Sequence, residues 1–151
     1  MFLLSKKTLY AIEAVLDIAF HASAEPVQSR EITRRQGIPR RYLEQALQNL
    51  VHQGVLVGIR GPRGGYRLAR ERRRISVGDI VRVVRSMEAT DKKPDGVAGS
   101  ELGHKVVRLR WLTIEDEIMA RLDTTSIDDL CDDAETVGIV SEGRQALDFS
   151  I

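Results

Sequence analysis

The order of secondary structure in this chain is decided by residues 29–69, which read SREITRRQGIPRRYLEQALQNLVHQGVLVGIRGPRGGYRLA. Ser29 is predicted to be the N-cap of a short helix, and Gly37 suits the left-handed residue that terminates it. Pro39 fits the first turn of the next helix. The apolar stripe of that second helix consists of Leu43, Ala46, Leu47 and Leu50. The spacing predicts two helices joined by a tight turn.

A hairpin with an arginine-rich tip follows the second of these helices. Residues 55–60 form a short stretch with β-branched residues at every second position, and residues 61–65 are nearly all Gly and Pro and must turn. Residues 66–69 alternate like a returning strand. Helix, tight turn, helix and basic hairpin together are the layout of a winged helix-turn-helix. The predicted fold class is therefore mainly α, with a two-stranded β wing.

Apolar periodicity predicts further helices on both sides of this segment, over residues 8–22 and over residues 101–123. Two capping-box spacings, Ser76 to Asp79 and Ser126 to Asp129, predict a helix start after each serine. These signals divide the chain into four parts. They are a winged-helix domain over 1–87, a loop over 88–100, a dimerisation helix with a short C-terminal helix over 101–136, and a flexible tail over 137–151.

The long helix near the C-terminus carries apolar residues in two stripes. A helix of this kind cannot lie on the surface of a monomer with only one side covered. It therefore predicts a homodimer in which the helix packs against a second copy. The residues assigned to that interface are Leu102, Val106, Val107, Leu109, Trp111, Leu112, Ile114, Ile118 and Leu122.

The net charge of +1 hides a strong asymmetry between the two halves. Residues 1–90 carry 16 Lys and Arg against 8 Asp and Glu, for a net charge of +8, whereas residues 91–151 carry 7 against 14, for −7. A basic half attracts polyanions, so double-stranded DNA is the expected partner. The chain has no apolar run of the ~20 residues that a membrane helix needs. Its one cysteine, Cys131, cannot form an internal disulfide, and a cytoplasmic location is expected.

A winged helix directs the start of its second helix into the major groove and its wing toward the neighbouring groove or backbone. The residues expected in or beside the major groove are Arg40, Arg41, Tyr42, Glu44 and Gln45. The wing residues are Arg60, Gly61, Arg63 and Gly64, since arginine enters a narrow minor groove and glycine permits close approach. The candidates for phosphate contacts are Lys6, Lys7, Gln28, Ser29 and Arg67. Which side chain reads a base stays open.

Five short motifs resemble one family, the Rrf-type winged-helix transcriptional regulators, to which IscR, NsrR and CymR belong. They are LSKKTLYA at 4–11, QGI at 36–38, YLEQ at 42–45, RGPRGGY at 60–66 and ISVGDI at 75–80. The resemblance implies a homodimer whose long C-terminal helices cross. It also implies sequence-specific binding to a roughly palindromic operator, most often with repression of transcription.

The chain departs from the cluster-binding members of that family, which carry three cysteines between the fourth helix and the long helix. Residues 88–110 contain no cysteine, and Cys131 lies beyond the long helix. An iron–sulfur cluster needs several thiolates, so no cluster and no other metal cofactor are expected. His104 as a residual metal contact and Cys131 as a redox thiol stay open. The simpler interpretations are a solvated helix-end histidine and a half-buried helix residue.

The sequence shows no catalytic set of the Ser/His/Asp or Cys/His kind and no zinc-ligand spacing, so an enzyme is not expected. Two alternatives to direct DNA regulation stay open. The acidic half is also compatible with docking a metabolic enzyme. The space between the DNA-binding domain and the long helix is also compatible with a small-molecule effector.

Overall fold

The computed structural model describes residues 5–89 and 99–144, which form six α-helices and one two-stranded sheet. The elements in chain order are α1 (Lys6–Phe20), α2 (Ser29–Gln36), α3 (Arg40–His52), β1 (Leu56–Ile59), β2 (Gly65–Leu68), a 3₁₀ turn (Arg72–Arg74), α4 (Val77–Ala89), a π-helical turn (Gly103–Val107), α5 (Arg108–Asp123) and α6 (Ile127–Thr136). In these ranges no helix combines the length and apolarity that spanning a bilayer requires. The predicted mainly α fold with a β wing is confirmed.

Two helices, α1 and α2, begin earlier in the chain than the sequence predicted, because the residue that caps each N-terminus was not identified. Helix α1 begins before residue 8 because the Ser5 hydroxyl accepts a hydrogen bond from the Thr8 amide at 3.2 Å. The N-cap of α2 is Gln28 rather than Ser29, and its amide donates to the Glu31 carboxylate at 2.8 Å. Both capping boxes predicted from Ser76 and Ser126 are confirmed by reciprocal hydrogen bonds of 2.9–3.0 Å.

Helix α1 is the centre of the fold, because α2, α3, α4, α6 and β2 all pack against it. Its buried face contributes Val15 and Ile18, which lie with Ile32, Leu47 and Leu50 in one core cluster. Each fully buried aliphatic side chain of this size contributes roughly 1.5–3 kcal/mol. The helix pair α2–α3 is therefore positioned chiefly by its packing on α1.

Two short backbone pairings fasten the parts of the chain together. Val27, just before α2, pairs with Tyr66 of β2 through hydrogen bonds of 3.0 and 2.8 Å. Ser76, before α4, lies opposite Ser126, before α6, in a second antiparallel bridge. Its hydrogen bonds come from the flanking residues, with the Val77 amide donating to the Thr125 carbonyl and the Ile127 amide to the Ile75 carbonyl, both at 2.8 Å. The first pairing fixes the wing relative to α2, and the second fixes the C-terminal helices relative to the winged-helix domain.

A buried ion pair joins α2 to α1. Arg35 donates to both carboxylate oxygens of Asp17, at 2.8 and 2.7 Å, and Gln36 donates to the same carboxylate at 2.8 Å. The Asp17 side chain is fully buried and that of Arg35 is 8% exposed. These hydrogen bonds to Asp17 raise the pKa of Arg35 further above its usual value. The pair is thus a fixed, charged link in an apolar setting.

The sequence predicts a flexible tail from residue 137 onward, but the structure places residues 141–144 against the body of the protein. Ser141 is buried, and Glu142 forms ion pairs with Arg34 and Arg35 of α2. The partners of these contacts are more than 100 positions apart in the sequence, so no local sequence signal predicts them. The predicted loop over 88–100 and the end of the tail fall largely on residues 90–98 and 145–151, outside the described residues.

Replacing Asp17 with alanine should lower the free energy of unfolding by about 3 kcal/mol, because the buried guanidinium of Arg35 loses its main partner. Urea denaturation followed by circular dichroism measures this loss. The control is Glu44→Ala, which breaks an exposed i,i+4 pair with Arg40 and should cost less than about 1 kcal/mol. Equal losses in the two variants would contradict a structural role for the buried pair.

Candidate nucleic-acid interface

An open groove of about 820 Å³ lies where the start of α2, helix α3 and the wing meet. It gathers six of the predicted site residues, which are Gln28, Ser29, Arg40, Arg60, Gly61 and Gly64. Arg30 also lines the groove, although sequence reasoning did not select it. Its position next to Ser29, on the first turn of α2, was the available signal.

The start of α3 presents exposed polar side chains. The Arg40 Nε donates to the Glu44 carboxylate at 2.9 Å, and the Arg40 side chain is 83% exposed. Arg41 and Gln45 are also exposed. Arg41 has no ion-pair partner among residues 5–89 and 99–144. Since exposed pairs are worth only about 0.3–0.5 kcal/mol, Arg40 is free to exchange Glu44 for another anion.

Tyr42 turns inward rather than toward the groove expected from the sequence. Its hydroxyl donates to the Lys7 carbonyl, and its ring lies 5.8 Å from that of Tyr10. Burial, and then the nearby charge of Glu88, raise the pKa of Tyr42 to about 12. The side chain anchors α3 to α1, and this placement favours a positioning role over base contact.

The glycines of the wing are required by its own geometry. Gly61 has φ +112°, which favours glycine, and a Cβ on Gly64 would lie 2.2 Å from the Ile59 carbonyl oxygen. A Cβ on Gly65 would lie 2.4 Å from the Val27 carbonyl oxygen, where the wing meets the segment before α2. These glycines therefore close the turn and seat the wing, in addition to any approach to a ligand.

The two arginines of the wing differ from Arg67 at its base. Arg60 is exposed and has no ion-pair partner within the described ranges, and Arg63, 86% exposed, lies 3.8 Å from Glu25. Arg67 instead donates to the carbonyls of Ser23 and Ala24. Its guanidinium holds the segment between α1 and α2, so a phosphate contact is not the role that its geometry favours.

The remaining predicted phosphate contacts lie at two places. Gln28 is at the groove and approaches the Pro62 carbonyl of the wing at 3.5 Å. Lys6 and Lys7 are exposed on the first turn of α1 and are not among the residues that line the groove. The structure thus brings Gln28 and Ser29 to the wing. Lys7 instead lies beside Tyr42 and Gln45 of α3, outside the groove.

Many other arginines of the basic half are engaged within the protein. Arg72 pairs with Asp128 at 2.6 Å, and Arg82 pairs with Asp123 at 2.6 Å. Arg70 and Arg73 also have acidic partners, Asp79 and Glu71. Arg30, Arg41 and Arg60 have no ion-pair partner within the described ranges and lie on α2, α3 and the wing, so this surface attracts a polyanion.

Helix α5 and the π-helical turn before it expose apolar side chains. Leu102 is 73% exposed and Trp111 51%. The other exposed apolar residues of this surface are Val106, Val107, Leu109, Leu112 and Ile114. Ile118 and Leu122, also assigned to the dimer interface from sequence, are half-buried, and Leu122 packs on the cluster formed by Val77, Val81 and Met119. One face of α5 is thus covered by α4, and another is open.

The residues present do not fit an iron–sulfur cluster. Cys131 is the one cysteine of the chain and is 1% exposed, inside the core cluster around α1. Burial raises the pKa of its thiol, which disfavours the thiolate that binds iron. Within residues 5–89 and 99–144, no three His, Cys, Asp or Glu side chains converge as a metal site.

His104 differs from the solvated histidine expected at the start of the long helix. Its Nε2 is buried and has no hydrogen-bond partner in the described part of the chain. The backbone of Gly99 lies against this ring, since a Cβ there would be 2.7 Å from Nε2. The histidine is therefore packed against Gly99, and within residues 5–89 and 99–144 it belongs to no cluster of three metal-ligating side chains.

Comparison with known proteins places the chain in one family. Residues 4–133 match the Rrf2 family, described as iron-dependent transcriptional regulators. The HTH-type transcriptional regulator IscR of Vibrio atlanticus is 35% identical over 150 residues, covering 98% of this chain and 84% of the relative. IscR of Escherichia coli is 33% identical over 144 residues, covering 94% and 86%.

Solved structures agree with this assignment. The structure of T. potens IscR has a TM-score of 0.70 and 33% identity, covering 91% of this chain and 92% of that one. CymR, the global cysteine regulator of B. subtilis, has a TM-score of 0.66 and 28% identity, covering 87% and 98%. The chain belongs to the Rrf2 family and is a DNA-binding transcriptional regulator with a winged-helix fold.

Proposed function

We propose that the protein is a homodimeric repressor that binds a roughly palindromic operator and works without an iron–sulfur cluster. The observation that carries the proposal is the groove between α3 and the wing. Arg60 stands there without an internal ion pair among the described residues, and Arg40 has only an exposed, exchangeable one. Such cations are available to phosphates and to guanine, because one arginine can donate two hydrogen bonds to guanine O6 and N7.

In the proposed complex, the start of α3 enters the major groove, which is about 12 Å wide and admits one α-helix. Arg40, Arg41, Glu44 and Gln45 then lie near base edges. The wing directs Arg60 and Arg63 to the adjacent minor groove or backbone. The first turn of α2, with Ser29 and Arg30, offers amides and a cation to a phosphate.

The exposed apolar face of α5 supports the homodimer. Together with the residues just before it, α5 presents seven large exposed apolar side chains, from Leu102 to Ile114, which a second copy would bury by packing its own helix there. A twofold dimer repeats the recognition helix at about 34 Å or a multiple of it, which matches half-sites spaced by whole turns of DNA. The palindromic operator follows from this symmetry.

The described part of the chain holds no group of side chains that fits a cluster, which supports a signal other than a cluster for this member of the family. We propose that a small molecule or a protein partner acts as the effector in place of a cluster. Repression follows when the dimer occupies a promoter and excludes the polymerase. Since its target is the chromosome, the proposed compartment is the cytoplasm.

Selection of bound DNA from a random pool tests the function as a whole, run with and without cell extract. A dimeric operator should emerge as two related half-sites in inverted orientation. Enrichment of no sequence, under low salt and with folded protein, would overturn the proposal. A requirement for extract would indicate the protein or small-molecule effector.

Arg60→Ala should weaken binding to the selected operator by roughly 1–3 kcal/mol if Arg60 reads a base, and should reduce the salt slope by about 1 if it contacts only phosphate. Fluorescence anisotropy titrations at several salt concentrations separate the two roles. The charge-matched control is Arg73→Ala, whose guanidinium is paired with Glu71. The same small effect in both variants would remove Arg60 from the interface.

Leu112→Asp should convert the dimer to a monomer, because the substitution introduces a carboxylate into an interface that must exclude water. Leu112 is 53% exposed in the single chain, so the fold itself should tolerate the change. Light scattering after gel filtration measures the mass, and the affinity for the full operator should fall with dimer loss. The control, Val137→Asp, alters a residue that is 74% exposed outside α5 and should stay dimeric. A monomeric wild-type protein would contradict the dimer.

Cys131→Ala should bind the operator as tightly as the wild type, and protein purified anaerobically with iron and sulfide should lack the visible absorbance of a cluster. The native thiol should react slowly with a disulfide reagent at neutral pH, because burial raises its pKa and keeps it protonated. The rate should rise as pH increases and as denaturant exposes the site. A cluster absorbance that Cys131→Ala abolishes would overturn the proposed cluster-free state.

A further inference from the structure

The C-terminal segment 141–144, here called the latch, is seated on the end of α1. Ser141 is 6% exposed, and the Glu142 amide donates to Nδ1 of His21 at 3.0 Å. At Gly143 the fit is so close that an added Cβ would lie 2.2 Å from the Ala22 carbonyl oxygen and 2.5 Å from that of His21. The seat therefore admits glycine and no larger residue without displacement.

The latch contacts α2 through one carboxylate, that of Glu142. The Glu142 Oε2 accepts from Arg34 at 2.7 Å and from Arg35 at 2.8 Å. Hydrogen bonds from Arg34 and Arg35 lower the pKa of Glu142, so the carboxylate is charged at neutral pH. Arg35 in turn holds the buried carboxylate of Asp17. A continuous chain of ion pairs thus runs from the latch through α2 to α1.

The other end of the latch is fixed to α6, where Arg144 pairs with Glu135 at 2.6 Å. A cleft of about 370 Å³ lies between the latch and the first turn of α2. Glu142 and Gly143 line one part of this cleft, and Gln28 and Arg30 line another. Gln28 and Arg30 also line the groove at the wing. The latch therefore connects α6 to the same helix that contributes to the nucleic-acid interface.

We propose that the latch holds α2 in the orientation that DNA binding requires, with Glu142 as a positioning residue that does not itself contact DNA. The inference rests on the proposed function of the groove. Unseating the latch leaves α2 held by its packing on α1 and by the Asp17 pair, with one restraint fewer. We therefore expect α2 to move more, and its first turn to be less well placed against the phosphate backbone.

The direction in which DNA affinity changes when the latch is released distinguishes positioning of α2 from simple masking of charge. Glu142 neutralises arginines of the basic half, so a tail that merely masks charge would weaken DNA binding, and its release would tighten it. A tail that positions α2 has the opposite effect, and its release weakens binding. A substitution that unseats the latch without changing the charge isolates the second effect.

Gly143→Ala is that substitution, because its methyl group collides with two backbone carbonyl oxygens and the charge is unchanged. Its affinity for the selected operator, measured well below the unfolding temperature, should fall about three- to tenfold. The matched control is Val140→Ala in the same tail, at a position that is 61% exposed, and it should bind as the wild type does. Equal or tighter binding by Gly143→Ala would overturn the proposal.

Hydrogen exchange of the DNA-free protein tests the latch independently of any operator. The amides of α2 should exchange faster in Gly143→Ala than in the wild type and in Val140→Ala. Unchanged exchange would overturn the latch, whereas a wild type that binds no duplex would overturn the proposed function instead. Glu142→Gln, which retains the glycine seat and loses the ion pairs, should also speed exchange in α2 and provides the test if Gly143→Ala does not fold.

Discussion

The arrangement of the DNA-binding helices depends on how α2 is held to α1. Apolar packing of Ile32 positions the short helix on α1, but such packing is non-directional and does not by itself restrict rotation of the helix. The bidentate pair of Arg35 with Asp17 does so, because two parallel hydrogen bonds restrict rotation as well as distance. Replacing such a pair with apolar residues is often neutral for stability, so its value here lies in orientation.

Once α2 is fixed, the wing is fixed as well. Val27 leads directly into α2 and pairs with Tyr66 of the wing, while Arg67 holds the carbonyls of Ser23 and Ala24. The hairpin is therefore attached to the start of α2 at several points and is not a free arm. The groove gains its shape from these attachments before any nucleic acid is present, which reduces the entropy lost on binding.

Local signals in the sequence predicted the order of the elements and both capping boxes, because the partners of Ser76 and Ser126 lie three residues away. They also predicted the open apolar face of α5. They did not predict that Tyr42 turns inward, since its partner Lys7 is 35 positions distant. Nor did they predict the contact of Glu142 with Arg35, 107 positions away. Contacts of this kind depend on how helices pack, and no period or spacing encodes them.

The acidic half of the chain has a further consequence through its ion pairs with the basic half. Asp123 and Asp128 neutralise Arg82 and Arg72, and Glu142 neutralises the arginines at the end of α2. Arg41 and Arg60 have no such partner among the described residues and leave positive charge on the surface formed by α3 and the wing, so charge is unevenly distributed over the protein. In the field of a nucleic acid, such a distribution turns the molecule during diffusion, so that more encounters begin with this surface forward.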